Sequence, residues 1–201
     1  MTRENLRNIA TIQAGYPFRG RIPEVPDGPV KVVQMRDMNF DTRIDWELVM
    51  RTSYPKGRNT GCLKHGDIVF LARGERFIAQ ALKDVPDETI CSPHFFVIRS
   101  LRPKELLPEF LSWQINQAPA QQYLRMAAVG SGQLSVRRSV LENLEVAIPA
   151  IDRQRQLLEL ADLIRLEREV TAKILANRQQ QLHALVQGLL SDTLAKEEVL
   201  A

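Results

Sequence analysis

From residue 150 onward the chain contains no proline, and its one glycine is Gly188. Good helix formers dominate this stretch, Asp152 reads as its N-cap, and one unbroken helix is expected over residues 153–190. At about 1.5 Å per residue it would be about 55 Å long, more than a domain of about 100–150 residues needs to cover its core. A helix of that length is expected to project or to pair. Leu160, Leu163, Val170, Ile174, Leu182, Leu185 and Leu189 form an apolar stripe near the 3.5-residue period, broken by Glu167, Asn177 and Gln181. This pattern fits a helical hairpin or dimer seam better than a lone core helix.

The residues before it follow another rhythm. Gly15, Pro17, Gly20, Pro23, Pro26-Asp27-Gly28-Pro29, Pro55-Lys56-Gly57 and His65-Gly66-Asp67 punctuate short apolar runs such as Val30-Lys31-Val32-Val33, Ile68-Val69-Phe70-Leu71 and Phe95-Phe96-Val97-Ile98. Short strands and tight turns are expected there. Pro108 can open one helix and Pro119 a second that ends near Gly130. Ser139 with Glu142 reads as a capping-box pair for a short helix, and residues 144–149 as an extended segment. The expected class is α+β: a β-rich globular domain over residues 1–150, then a long helix and tail over 151–201 that forms an antiparallel coiled coil or helical pair.

Composition is that of a globular chain, with 44% apolar and 25% charged residues. No stretch has the roughly 18–20 consecutive apolar residues of a membrane span, and the polar start lacks a signal-peptide core. A cytoplasmic protein is therefore expected, with no membrane partner. Residues 1–102 hold 16 Lys/Arg against 12 Asp/Glu, whereas residues 151–201 hold 7 against 8. Within residues 51–83 the imbalance is sharper: Arg51, Lys56, Arg58, Lys64, Arg73, Arg76 and Lys83 face only Asp67 and Glu75. Interleaved with Asn59 and hydroxyl side chains, this window suits phosphates and base edges, although a solvated face of a mixed sheet has the same composition.

Catalytic machinery is hard to assemble from this sequence. There is no Walker-type Gly-Lys-Ser/Thr, and the strand-rich half lacks the carboxylate–lysine set of a metal-dependent nuclease. Gly130-Ser131-Gly132-Gln133 follows a helical stretch rather than a strand, so it is not expected to hold an adenosyl cofactor. Cys62 with His65 and Cys91 with His94 make two matched pairs of zinc-competent residues, weighed against ordinary buried thiols and turn histidines. No cofactor is expected. His183 is expected at the seam or on the surface.

In order, Ile9-Ala10-Thr11-Ile12-Gln13-Ala14-Gly15-Tyr16-Pro17-Phe18, Leu63-Lys64-His65-Gly66-Asp67-Ile68-Val69 with Gly74, Leu106-Leu107-Pro108-Glu109-Phe110-Leu111, Gly130-Ser131-Gly132-Gln133-Leu134-Ser135, the segment 141–149 and Asp152-Arg153-Gln154-Arg155-Gln156 resemble the specificity subunit of type I restriction-modification systems. A complete subunit of that family carries two target-recognition domains, each followed by a helix. This chain has room for one of each and resembles a half-subunit. At the start of the helix, Arg153-Gln154-Arg155 departs from the family's usual Glu-Gln-Gln.

The resemblance implies a non-catalytic DNA-reading module. It would grip one half of a bipartite target, associate with itself as a homodimer, and dock a methylation subunit and, where the system has one, a restriction subunit. Candidate DNA-binding residues are Arg51, Lys56, Arg58, Asn59, Arg73 and Arg76, followed by Arg19, Arg36 and Gln133, with Arg suited to guanine and Asn or Gln to adenine. The alternative is a coiled-coil interaction protein that holds nucleic acid without sequence preference. A nuclease ranks third.

Overall fold

In a computed structural model of the chain, the described residues are 2–39, 42–53, 61–74, 76–130 and 132–198, with side chains described as far as residue 188. Two compact units are present, Met1–Leu158 and Glu159–Ala201.

The first unit closes on itself. Strand β1 (Thr2–Asn5) pairs antiparallel with β9 (Glu145–Ile148), Thr2 opposite Ile148 and Asn5 opposite Glu145. The chain therefore begins beside the strand that leads into its last helix. Leu6 and Ile9 of the short helix α1 (Leu6–Ile9) are fully buried directly after β1.

At the centre lies a four-stranded antiparallel sheet in the order β2 (Ala10–Ala14), β8 (Phe95–Ser100), β5 (Ile68–Leu71), β6 (Ala79–Ala81). All four residues of β5 are buried, and strand alternation divides them between two cores. Ile68 and Phe70 join Ile12, Ile98, Phe110, Leu111, Ile115 and Leu124, while Val69 and Leu71 join Val33, Met38, Ile44, Leu63, Phe95 and Val97. Burial on both faces explains why β5 reads as a continuous apolar run rather than an alternating one. Each large side chain fully withdrawn from water contributes about 1.5–3 kcal/mol.

A second sheet is mixed: β3 (Val30–Val33) lies between β4 (Arg51–Thr52), antiparallel, and β7 (Thr89–Cys91), parallel. Helices α2 (Pro108–Ile115) and α3 (Ala118–Ala127) each carry a proline in the first turn, where the missing N–H costs nothing. Side-chain amides of the α2 segment complete exposed strand edges. Gln114 accepts from the Ala147 N–H at 2.6 Å and donates to its carbonyl at 3.0 Å, and Asn116 does the same with Ala79 at 2.9 and 2.8 Å.

Two capping expectations are corrected. Ser139 lies inside α4 (Arg138–Glu142), whose N-cap is Arg137 with no side-chain cap, and Glu142 instead pairs with Arg138 at 2.7 Å. Asp152 lies in the first turn of α5 (Ile151–Glu198), one residue inside the helix, where its charge still favours the positive end of the helix dipole. The β-rich region followed by one long helix is as expected, and that helix is longer than expected. Its 48 residues correspond to about 72 Å, with Gly188 in its interior. Gln154 in its first turns is 0% exposed, accepts from the Leu107 N–H at 3.0 Å, and donates to the carbonyls of Glu105 and Pro149 at 2.7 and 2.8 Å.

Candidate nucleic-acid interface

Three turns of the first unit meet around a cleft of about 840 Å³: the loop 18–24, the 3₁₀ turn Met35–Asp37 and the β7–β8 turn Ser92-Pro93-His94. The sequence determines how they meet. Gly15 and Tyr16 donate to the carbonyls of Phe95 and Cys91 at 2.9 and 2.8 Å. A Cβ on Gly15 would lie 2.1 Å from the Ser92 carbonyl oxygen, so only glycine lets the chain pass this close. The Gly15-Tyr16-Pro17-Phe18 stretch is thus a packing device that holds the loop 18–24 at the cleft.

The 3₁₀ turn is fixed by a reciprocal cap. Gln34 donates its N–H to Asp37 at 2.7 Å while its side chain takes the Asp37 N–H and donates to Met50 Sδ at 3.1 Å. Burial pushes the Asp37 carboxyl above its ordinary range, against the pull of the Gln34 N–H and the Arg36 charge. Arg36 itself is held loosely, 3.9 Å from Asp37 and exposed, and it lines the cleft with Arg21.

Next to this wall, Ala72 donates to the His94 carbonyl at 3.0 Å, Gly74 donates to the Leu134 carbonyl at 3.0 Å, and Arg73 forms a bridge pair with Ser135. Gly74 lies beside Met35, and a Cβ there would contact the Met35 methyl at 3.7 Å. Arg73 and the 132–135 loop carrying exposed Gln133 are thereby brought alongside the turn that presents Arg36. Gly130 adopts φ +129°, and a Cβ on it would meet the Gln133 carbonyl oxygen at 2.4 Å, so this position requires glycine.

The other expected residues lie apart. Arg76 lines a second cleft of about 580 Å³ with Asn116, Gln122 and Arg125. Arg51 is exposed on β4 and donates to the Gly28 carbonyl at 3.3 Å, which ties it to the 25–28 turn. Arg19 is exposed between two cleft-lining residues, Phe18 and Gly20. Lys56, Arg58 and Asn59 fall outside the described residues. Sequence reasoning missed Arg21, His94 and Arg125 as cleft residues. The Arg19-Gly20-Arg21 triplet was a usable signal for the first of these; nothing in the sequence marked Arg125.

Other motif residues have structural work. Asp67 accepts Arg99 through Nε at 2.7 Å and Nη2 at 2.9 Å, and also takes the Lys64 N–H at 2.9 Å. This fork, which also reaches the Cys62 carbonyl at 2.9 Å, raises the Arg99 pKa. Cys91 is buried on β7, and burial pushes its thiol up to about 12. Among the described residues no three His, Cys, Asp or Glu side chains gather as a metal site requires.

On α5, Leu160, Leu163, Val170, Ile174, Leu182 and Leu185 are all exposed, between 48% and 67%. Leu189 lies on the helix, with its side chain outside the described set, and His183 is exposed, 3.4 Å from the Gln187 amide. Among the described residues no helix is long and apolar enough to cross a membrane.

No protein-family model and no curated protein matches the sequence. Solved structures do. The HsdS subunit from Thermoanaerobacter tengcongensis matches with 18% identity and a TM-score of 0.55, covering 84% of this chain and 43% of that one. A chain from a structure of complex assembly and conformational transition of the type I R-M system matches with 13% identity and a TM-score of 0.57, covering 92% and 43%. The chain shares the fold of a type I restriction-modification S subunit. The S subunit from M. genitalium also matches, with 18% identity and a TM-score of 0.49, over 84% of this chain and 42% of that one. This chain thus spans less than half the length of the S-subunit structures it matches. What it carries of the S-subunit fold is a β-rich region and one long helix.

Proposed function

We propose that this chain is a DNA-reading specificity subunit without catalysis of its own, which grips one half of a bipartite target and docks methylation subunits. The carrying observation is the S-subunit fold, which accounts for 84–92% of this chain but only 43% of the neighbours that show it. One reading domain, residues 1–150, is followed by one helix and tail, residues 151–201. In this reading a second copy supplies the other half. The seam is Leu160, Leu163, Val170, Ile174, Leu182, Leu185 and Leu189, and it is supported by the exposure of the six whose side chains are described. The two helices form an antiparallel pair, giving a closed, isologous dimer.

DNA contacts are assigned to Arg19, Arg36, Arg51, Arg73, Arg76 and Gln133, together with Lys56, Arg58 and Asn59. Support is strongest for Arg36, which lines the first cleft, and for exposed Arg73 and Gln133, whose segments the Arg73–Ser135 bridge and the Gly74–Leu134 hydrogen bond join. The partners are double-stranded DNA, a methylation subunit and, where the system has one, a restriction subunit, in the cytoplasm.

Titration of the full chain with labelled duplexes across a salt series tests this function. A reader retains a preferred duplex as salt rises, because base contacts add to the phosphate term. Equal, steep loss on every duplex would identify a nonspecific binder. Cleavage of DNA by the chain alone with a divalent metal would reject the non-catalytic assignment.

A further inference from the structure

Two polar atoms at the first cleft have unfinished bonding. Ser92 is 3% exposed, and its hydroxyl has no hydrogen-bond partner among the described residues; Nδ1 of His94 is likewise buried and unpartnered. Both residues line the cleft. Buried polar atoms left this way are rare in folded proteins, and each calls for a reason.

The fold does not supply that reason, because the backbone of the turn is already satisfied. Ser92 donates to the Val33 carbonyl at 2.9 Å and accepts from Phe95 at 3.2 Å, and the His94 carbonyl accepts from Ala72 at 3.0 Å. Other small or planar side chains would serve the turn equally well. The backbone of the turn is therefore committed while its two polar side-chain atoms are not, and a side-chain rotation would turn each into the cleft to meet a ligand.

We infer that Ser92 and His94 read a base edge of bound DNA in this cleft. The inference rests on the DNA-reading function proposed above and names where part of the reading takes place. The lining favours a base over a phosphate. Glu24 lines the cleft with Arg21 and Arg36, and a carboxylate repels phosphate but accepts from the amino group of cytosine. Arginine matches guanine, and a hydroxyl can donate or accept as the base requires. The two guanidinium groups also suit the phosphates that flank such a base.

Fluorescence anisotropy of the full chain tests this, with a duplex selected by the wild type from a random pool and a shuffled duplex of equal length. Ser92→Ala and His94→Ala should each weaken the selected duplex about 5- to 150-fold while leaving the shuffled duplex unchanged at equal salt. Melting temperatures should not fall, since each change removes an unpaired group. If His94→Ala unfolds the domain, His94→Asn, which keeps a planar polar group, should instead change the preferred base at one position. Undiminished preference in Ser92→Ala together with either folded His94 variant would overturn the inference and leave DNA reading intact. A wild type that selects no sequence would reject both.

Discussion

Replacing Gln154 by Ala should destabilise the Met1–Leu158 unit by about 3–5 kcal/mol, because three hydrogen bonds are lost at a fully buried side chain. The amide is 0% exposed and its three partners, at 2.7–3.0 Å, are all backbone groups of the segments entering α2 and α5. At about 1 kcal/mol net per bond the loss is about 3, and a buried N–H and two carbonyls left without partners account for the rest. Gln154→Glu is the sharper probe. It keeps an acceptor for the Leu107 N–H but turns a carboxylate oxygen toward the carbonyls of Glu105 and Pro149. Burial and repulsion then raise its folded pKa above the unfolded value of about 4.3. A group with a raised folded pKa binds its proton more tightly when folded. The Glu variant should therefore recover stability relative to wild type as pH falls through that raised pKa, and lose it again as pH rises; Gln154→Ala has no such dependence. Urea unfolding followed by the fluorescence of Trp46 and Trp113 measures all three proteins. An Ala variant within about 1 kcal/mol of wild type, or a Glu penalty independent of pH, would refute the reasoning.

Asp67→Ala should cost about 1.5–3 kcal/mol by calorimetry, since it removes charge-assisted bonds to Arg99 and leaves the Lys64 N–H unpaired, and an unchanged melting temperature would contradict a structural role for the fork. Asp at both Leu163 and Ile174 should convert a dimer to a monomer by light scattering while the β-rich domain keeps its melting temperature; retention of the dimer would remove the seam from α5. Alanine at Arg36 or Arg73 should cost about 1–3 kcal/mol on a selected duplex and relax discrimination there, and intact affinity in both would move the reading surface elsewhere.

Strands β3, β5 and β8 were legible because their apolar runs are bounded by Gly, Pro and Asp, and α5 because nothing in its sequence stops a helix. Pairing was not legible. That β3 runs parallel to β7 and antiparallel to β4 depends on contacts between residues far apart in sequence. Side-chain amides were opaque for the same reason: Gln114, Asn116 and Gln154 look like ordinary helix-surface residues, and only the neighbouring edge or carbonyl gives each its role. Ser139 with Glu142 had the spacing of a capping box, but the N-cap is Arg137, two residues earlier, so the spacing no longer meets the helix end. For the site, charge density pointed to residues 51–83, whereas the first cleft is lined by Arg21 and Arg36 from two loops outside that window, and Arg51 is tied to a turn carbonyl.

The central claim is that two copies of this chain read one split target. Selection of bound duplexes from a random pool, with the matching methylation subunit present, tests it most directly. Two identical heads related by a two-fold axis should recover two inverted copies of one short half-site, separated by base pairs of indifferent identity. Because paired helices fix the separation, inserting one base pair should shift one half-site by about 3.4 Å and rotate it by about 35°, abolishing contact with one head. Recovery of a single uninterrupted or asymmetric motif, or tolerance of the insertion, would contradict the account.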